Sequence, residues 1–66
     1  MKEYIFYDLE NQHLTTLVGN EFRLEREEGF FYIGLKSNDA NGGIISELVG
    51  LVNENIVGRV IAEGVK

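Results

Sequence analysis

Short apolar segments separated by glycine and polar clusters set the pattern of this chain. Eight glycines and no proline interrupt it, and the segments between them are rich in aromatic and β-branched residues, which is typical of short strands joined by tight turns. The pattern predicts five strands and an all-β fold. The predicted strands are residues 3–9, 14–25, 30–36, 44–52 and 56–62.

Polar segments predict how the later strands connect. A turn at residues 27–29, Glu-Glu-Gly, predicts a hairpin over residues 22–35. Residues 37–43, Ser-Asn-Asp-Ala-Asn-Gly-Gly, are mostly types that tolerate a left-handed backbone, and they predict an exposed loop. Residues 53–55, Asn-Glu-Asn, predict a second hairpin between the last two strands.

The segment before Gly19 fits two structures. Residues 9–18 could form a helix that Asp8 caps at its start and Gly19 ends, with three aliphatic side chains on one face. Two consecutive threonines are β-branched and slightly disfavour that helix. The sequence leaves strand and short helix open here.

The last two predicted strands are apolar on both faces. A half-buried strand alternates apolar and polar residues, yet adjacent aliphatic pairs recur in these two. One small barrel interior cannot hold both sets, so a partner is expected to cover the outer set, unless these residues lie at barrel corners. The residues expected at an interface between copies are Ile44, Ile45, Val49, Val52, Ile56, Val57, Val60 and Ile61.

The size and charge of the chain narrow its class. Sixty-six residues allow one domain, and the absence of cysteine excludes disulfides and thiol chemistry. A lone core of this size yields only about 3–5 kcal/mol, so association between copies is expected. Eleven acidic and six basic residues give a net charge of −5, which argues against indiscriminate binding to nucleic acid or anionic lipid.

The sequence contains no evident catalytic constellation. His13 is its only histidine and lies in a polar, turn-like stretch, which favours a solvated role. Residues 38–42 are polar but lack the ligand series of a calcium loop. We therefore expect no enzyme, cofactor or metal. The apolar runs are shorter than the ~20 residues of a membrane span and the start lacks a signal peptide's apolar core, so a cytoplasmic location is expected.

From residue 17 onward the chain resembles the Sm and Sm-like (LSm) family. The matching segments are Leu17-Val18-Gly19-Asn20-Glu21-Phe22, then Glu28-Gly29, Gly34 and Asp39, and finally Val57-Gly58-Arg59-Val60-Ile61-Ala62-Glu63-Gly64. The spacing of the first three glycines is that of the family's first motif, and the closing segment resembles its second. The resemblance covers about 48 of the 66 residues. It implies a small, strongly bent, five-stranded SH3-like barrel that assembles into a homo-oligomeric ring of five to seven subunits.

The resemblance also implies contacts with single-stranded RNA or DNA. Family members grip bases with an Asp-x-x-x-Asn loop and an Arg-Gly or Lys-Gly loop. Here Gly43 stands where the asparagine is expected and Glu63 replaces the basic residue, so binding is expected to be weak or to need a partner. The candidate contacts are Tyr32, Asp39 and Asn41 for bases, Lys36 and Arg59 for phosphate, and Gly64 in the second loop.

The N-terminal strand predicts a strand arrangement that differs from that of the family, and the net charge favours a different function. The sequence ends at Lys66, where the family's last strand would begin, and residues 3–9 are expected to occupy that place. The acidic charge favours an alternative function, a protein-interaction module that does not bind nucleic acid. Such a module would act as an inhibitor or decoy, or as a structural subunit of a larger assembly.

Overall fold

The computed structural model describes residues 1–64, which form two three-stranded antiparallel sheets. The strands are β1 (Lys2–Tyr7), β2 (His13–Gly19), β3 (Glu21–Glu25), β4 (Phe30–Asn38), β5 (Ile44–Asn53) and β6 (Arg59–Gly64). The first sheet has the order β2-β1-β6 and the second has the order β3-β4-β5. The all-β prediction is confirmed, although these residues form six strands instead of five and no closed barrel.

β1 lies at the centre of the first sheet and supplies the aromatic half of the core. Its alternation places Tyr4 and Phe6 on the inner face, where Phe6 is completely buried. Phe6 lies directly between Thr15 of β2 and Val60 of β6, and residues opposite one another in a ladder share a face. The predicted N-terminal strand is therefore confirmed, with its end two residues earlier than expected.

The core between the two sheets is small. Its buried residues are Tyr4 and Phe6 from the first sheet and Ile33 and Val52 from the second. Their partly buried apolar neighbours are Leu17, Phe31, Val57 and Val60. The sheets thus meet over only part of their faces, and this leaves one end of the second sheet uncovered.

The segment predicted as one strand over residues 14–25 is divided between the sheets. It forms β2 and β3, which are separated at Asn20, and the helical alternative before Gly19 is wrong. β2 pairs along its length with β1, and this pairing partly buries Leu17 opposite Tyr4. An isolated ten-residue helix would be marginal in water.

Asn20 joins the two sheets by acting as an additional strand residue. Its Nδ2 donates to the carbonyl oxygen of Lys36 at 2.8 Å, and its Oδ1 accepts from the Lys36 backbone nitrogen at 2.7 Å. The Asn20 backbone nitrogen donates to the Gly34 carbonyl oxygen at 3.0 Å. The ladder beside β4 therefore continues past the start of β3 through a side chain.

An Asn20→Asp substitution should lower the free energy of unfolding by about 1–2 kcal/mol, because a carboxylate cannot donate to the Lys36 carbonyl and is repelled by it. Urea unfolding followed by circular dichroism would measure this loss. Asn55→Asp is the matched control, since the Asn55 side chain is exposed and makes no hydrogen bond within residues 1–64, where only its backbone nitrogen donates, to Asn53 Oδ1. The control should shift stability by less than about 0.5 kcal/mol, and equal losses in the two variants would contradict the role given to Asn20.

The two predicted hairpins have different outcomes. β3 and β4 form the first, with Gly29 at a φ of 77° in its turn, so that prediction is confirmed. The second is wrong, because β5 and β6 belong to different sheets. A 3-10 helix, Glu54–Ile56, follows β5, and the last strand begins at Arg59 instead of residue 56.

The crossing from β5 to β6 depends on close contact with the end of β1. The Gly58 nitrogen donates to the Tyr7 carbonyl oxygen at 2.8 Å. A Cβ at Gly58 would lie 2.5 Å from the carbonyl oxygen of Asp8. A glycine at this point lets the chain leave the second sheet and pair with β1.

Candidate functional site: the hairpin arm

The hairpin of β4 and β5 extends beyond the rest of the second sheet. β3 pairs with β4 only as far as Gly34, and the Asn20 side chain continues that ladder to Lys36. β5, in contrast, pairs with β4 out to the Asn38 and Ile44 pair. The predicted loop over residues 37–43 is accordingly shorter, since β4 reaches Asn38. We call residues 35–48 the hairpin arm.

A β-bulge marks the base of the hairpin arm. The register between β4 and β5 shifts by one residue there, which leaves Val49 without a partner on β4. Every residue from 36 to 49 is exposed, including Ile44 at 73% and Leu48 at 58%. A two-stranded hairpin is marginally stable in water without a covering layer. These exposed aliphatic side chains therefore mark the arm as a surface that another chain can cover.

One face of β5 carries an aliphatic stripe. Ile44, Leu48 and Leu51 are paired with even-numbered residues of β4, which all lie on one face of that strand. Because paired residues point to the same side of a sheet, the three aliphatic side chains share that face. Ser46 lies between Ile44 and Leu48 on that face. The stripe runs along the outer face, away from the core, and all three aliphatic side chains are exposed.

The outer edge of β5 is open along its length. β5 is the last strand in the order β3-β4-β5, and within residues 1–64 it pairs with β4 alone. Glu47 is its only charged residue, and it has no lysine or proline. Edge strands that must avoid pairing usually carry such residues. The edge of β5 is therefore open to pairing with another strand.

The tip of the hairpin arm is closed by Asp39. Its Oδ1 accepts from the backbone nitrogens of Asn41 at 2.9 Å and Gly43 at 2.7 Å. The Asp39 nitrogen donates to the Gly43 carbonyl oxygen at 2.9 Å, and Gly42 adopts a φ of 83°. Asp39 therefore fixes the turn that holds the two strands of the arm together.

The candidate nucleic-acid contacts are distributed over both sheets. Tyr32 lies on β4, Lys36, Asp39 and Asn41 belong to the hairpin arm, and Arg59 and Gly64 are the two ends of β6. Along one strand those two ends are about 16 Å apart. The structure thus brings four of the six residues onto one hairpin and leaves the other two in the first sheet.

Aromatic and charged neighbours occupy several of these side chains. The guanidinium of Arg23 lies 4.3 Å from the Tyr32 ring centroid, and Tyr32 also covers the place of a side chain at Gly34. The Lys36 Nζ lies 3.7 Å from Glu21 Oε1. Arg59 lies over the Tyr7 ring at 4.5 Å. Arg23 thus occupies a face of the Tyr32 ring on which a base would stack, and Glu21 and Tyr7 engage the cations that would contact phosphate.

The predicted interface residues are divided between surface and core. Val52 is buried, and Val57 and Val60 pack against the core. Ile61 is partly buried on the outer face of the first sheet. The exposed members of the predicted set are Ile44, Ile45, Val49 and Ile56. Val52 lies where the inner face of β5 closes the core, and the interface itself stays a prediction for the whole set.

A second apolar surface lies near the other end of β5. A shallow depression of about 440 Å³ is lined by Asp8, Leu9, Glu10, Leu14, Asn55 and Ile56. Leu9 is 76% exposed, and Asp8 Oδ1 accepts from the Glu10 and Gln12 backbone nitrogens. Two acidic residues, Asp8 and Glu10, therefore line the depression, and the Asp8 carboxylate stabilises the turn after β1.

Within the described residues, the contacts of the His13 side chain are with nearby residues of β1 and β2. Its Nε2 lies 2.9 Å from Thr16 Oγ1, and its ring meets the Tyr7 ring edge-on at 6.1 Å. Among residues 1–64, no three histidine, aspartate or glutamate side chains converge as metal ligands would. No helix formed by these residues has the length and apolar character needed to cross a membrane.

The fold therefore defines an all-β protein with two small sheets and a projecting, aliphatic hairpin arm. Comparison with family models, with curated proteins and with solved structures finds no match. The resemblance to the Sm family stays a prediction from the sequence.

Proposed function

We propose that this chain is a non-enzymatic protein-interaction module whose binding element is the hairpin arm. The observation that carries the proposal is the open edge of β5, where Ile44 and Leu48 are the most exposed aliphatic side chains of that strand. A strand added to this edge would satisfy its free backbone groups and cover those side chains, as in β-strand addition.

The accessible surface and the radius of gyration are both larger than those of a compact domain of this length, which supports a hairpin arm that a partner covers. The accessible surface is 4726 Å², whereas the scaling for compact monomers gives about 4,200 Å² for a chain of 7.5 kDa. The radius of gyration is 13.0 Å, compared with about 11 Å for a compact domain of this length. Both differences agree with an arm that lies outside the compact part.

The arrangement of charges favours a protein partner over nucleic acid. Glu21 lies within 3.7 Å of both Arg23 and Lys36, and Glu25 lies 3.2 Å from Arg23. These cations are partly neutralised, and the net charge of −5 opposes a phosphate backbone. An Sm-like ring that binds single-stranded nucleic acid remains the prediction that the sequence resemblance supplies.

Site-specific photo-crosslinking in the natural host tests the arm as a binding element. With a photoreactive amino acid in place of Leu48, we expect a covalent adduct with a protein, either another chain or a second copy. Adding Ile44→Lys to the same chain should reduce the adduct about tenfold, because burying a lysine instead of an aliphatic side chain removes more than 1.4 kcal/mol of binding.

The matched control places the same photoreactive amino acid at Leu9, which is more exposed than Leu48 (76% against 58%) and lies beside Asn55 and Ile56, outside the hairpin arm. That chain should give little adduct. Equal yields at the two positions, an adduct insensitive to Ile44→Lys, or an adduct that nuclease removes would each contradict the proposal. Circular dichroism of each purified variant establishes that it is folded.

A further inference from the structure

We infer that the partner of the hairpin arm is a second copy of this chain, with the two β5 strands paired antiparallel about a two-fold axis at Ser46. This inference rests on the proposed function and names its partner. It would join the two second sheets into one continuous six-stranded sheet, with the strands in the order β3-β4-β5-β5-β4-β3.

Symmetry allows only a few registers for such a pair. A two-fold axis normal to the sheet keeps each residue on its own face, and opposite residues must share a face. The axis must therefore pass between a residue and its own copy. The open part of β5 after Ile44 and before the Val49 bulge leaves four choices for that residue: Ile45, Ser46, Glu47 and Leu48.

Charge and length select Ser46. An axis at Glu47 would place the two carboxylates directly opposite one another, which is destabilising. An axis at Leu48 would carry the pairing across Val49, where the bulge interrupts the regular ladder. An axis at Ile45 would pair Glu47 with Gly43 of the turn and leave Leu48 uncovered.

The Ser46 register covers the exposed side chains of the arm. Ile44 of each copy would lie opposite Leu48 of the other, on both sides of the central serine pair. Glu47 would lie opposite Ile45, and the two Glu47 side chains would be diagonal neighbours about 7–8 Å apart, a separation at which salt screens much of their repulsion. Five residues of each strand would pair, which is a small interface, so the dimer is expected to form at micromolar concentration.

A single cysteine at the axis tests this arrangement, because the natural sequence has none. In a Ser46→Cys chain the two Cβ atoms would be about 5 Å apart, close to disulfide geometry. Mild oxidation should yield a covalent dimer within minutes. Ser37→Cys is the matched control on the same arm. Its two Cβ atoms would be separated by three strand spacings, about 14 Å, and also offset by two residues along the strands, and it should yield at least tenfold less dimer.

Light scattering of the wild-type chain across the micromolar range supplies the independent measurement. A mass rising to that of two chains supports the inference, as does selective cross-linking at position 46. A monomer throughout, a ring of five to seven subunits, or equal cross-linking at positions 37 and 46 would overturn it. A monomeric chain that still forms the position-48 adduct with another protein keeps the proposed function and rejects self-pairing. A dimer unaffected by Ile44→Lys would form through another surface and would also overturn the inference, while the position-48 adduct would still decide the proposed function.

Discussion

The Phe6→Ala variant should be largely unfolded at room temperature. Phe6 is 0% exposed and its ring meets that of Phe31 edge-on at 5.7 Å, so its removal leaves a cavity between the two sheets. A buried phenylalanine truncated to alanine costs about 3–5 kcal/mol. This equals the whole stability of about 3–5 kcal/mol that a core of this size usually supplies.

Far-UV circular dichroism and a urea titration at fixed protein concentration would measure the effect, since self-association makes stability depend on concentration. Phe22→Ala is the matched control. Phe22 also belongs to the aromatic cluster, stacking on Tyr4 with ring centroids 5.1 Å apart, but it is 40% exposed. Its truncation should cost about 1–2 kcal/mol and leave a cooperative transition. A Phe6→Ala chain as stable as Phe22→Ala would contradict the central place of Phe6 in the core.

The sequence predicted the elements that local interactions determine. β1 has three aromatic residues and one β-branched residue with alternating burial, and the β3–β4 hairpin closes at a glycine with positive φ. In both cases the residues that decide the structure lie within a few positions of one another. These elements were therefore visible without knowledge of the rest of the fold.

The wrong predictions concern pairings between distant segments. Residues 53–55 do end β5 and begin the 3-10 helix, but β6 then pairs with β1 instead of β5. The same strand, β1, determines that the segment before Gly19 is β2 and not a helix. A polar turn indicates that a strand ends, but it carries no information on which strand the next one will join.

The candidate surface was predicted in part. Adjacent aliphatic residues in the C-terminal half indicated more apolar surface than one core can hold, and Ile44 and Ile45 are indeed exposed. Leu48 was missing from the predicted set, while Val52 was included. The bulge at Val49 changes which residues of β5 share a face, and a strict alternation cannot show it.

Gly19→Ala should destabilise the fold by about 2–3 kcal/mol, although the same change at an open site is usually neutral or stabilising. A Cβ at Gly19 would clash with the carbonyl oxygen of Gly34 and lie 3.0 Å from Ile33 Cγ2. Gly34 is held by the β3–β4 ladder and by the Asn20 nitrogen, so its carbonyl cannot move away. Overpacking of this kind costs about 1–3 kcal/mol, and separation of the sheets would add to it.

Gly64→Ala is the control, because no neighbouring atom of the described residues lies within 4 Å of a Cβ at Gly64. Replacing that glycine reduces the freedom of the unfolded chain and should change stability by less than about 1 kcal/mol, in the stabilising direction. The two variants thus have opposite expected signs in a urea titration. Equal stability of Gly19→Ala and wild type would mean that the contact of Gly19 with Gly34 does not hold the sheets together. The hairpin arm begins at the residue after Gly34, so its projection beyond the rest of the second sheet would then need a different cause.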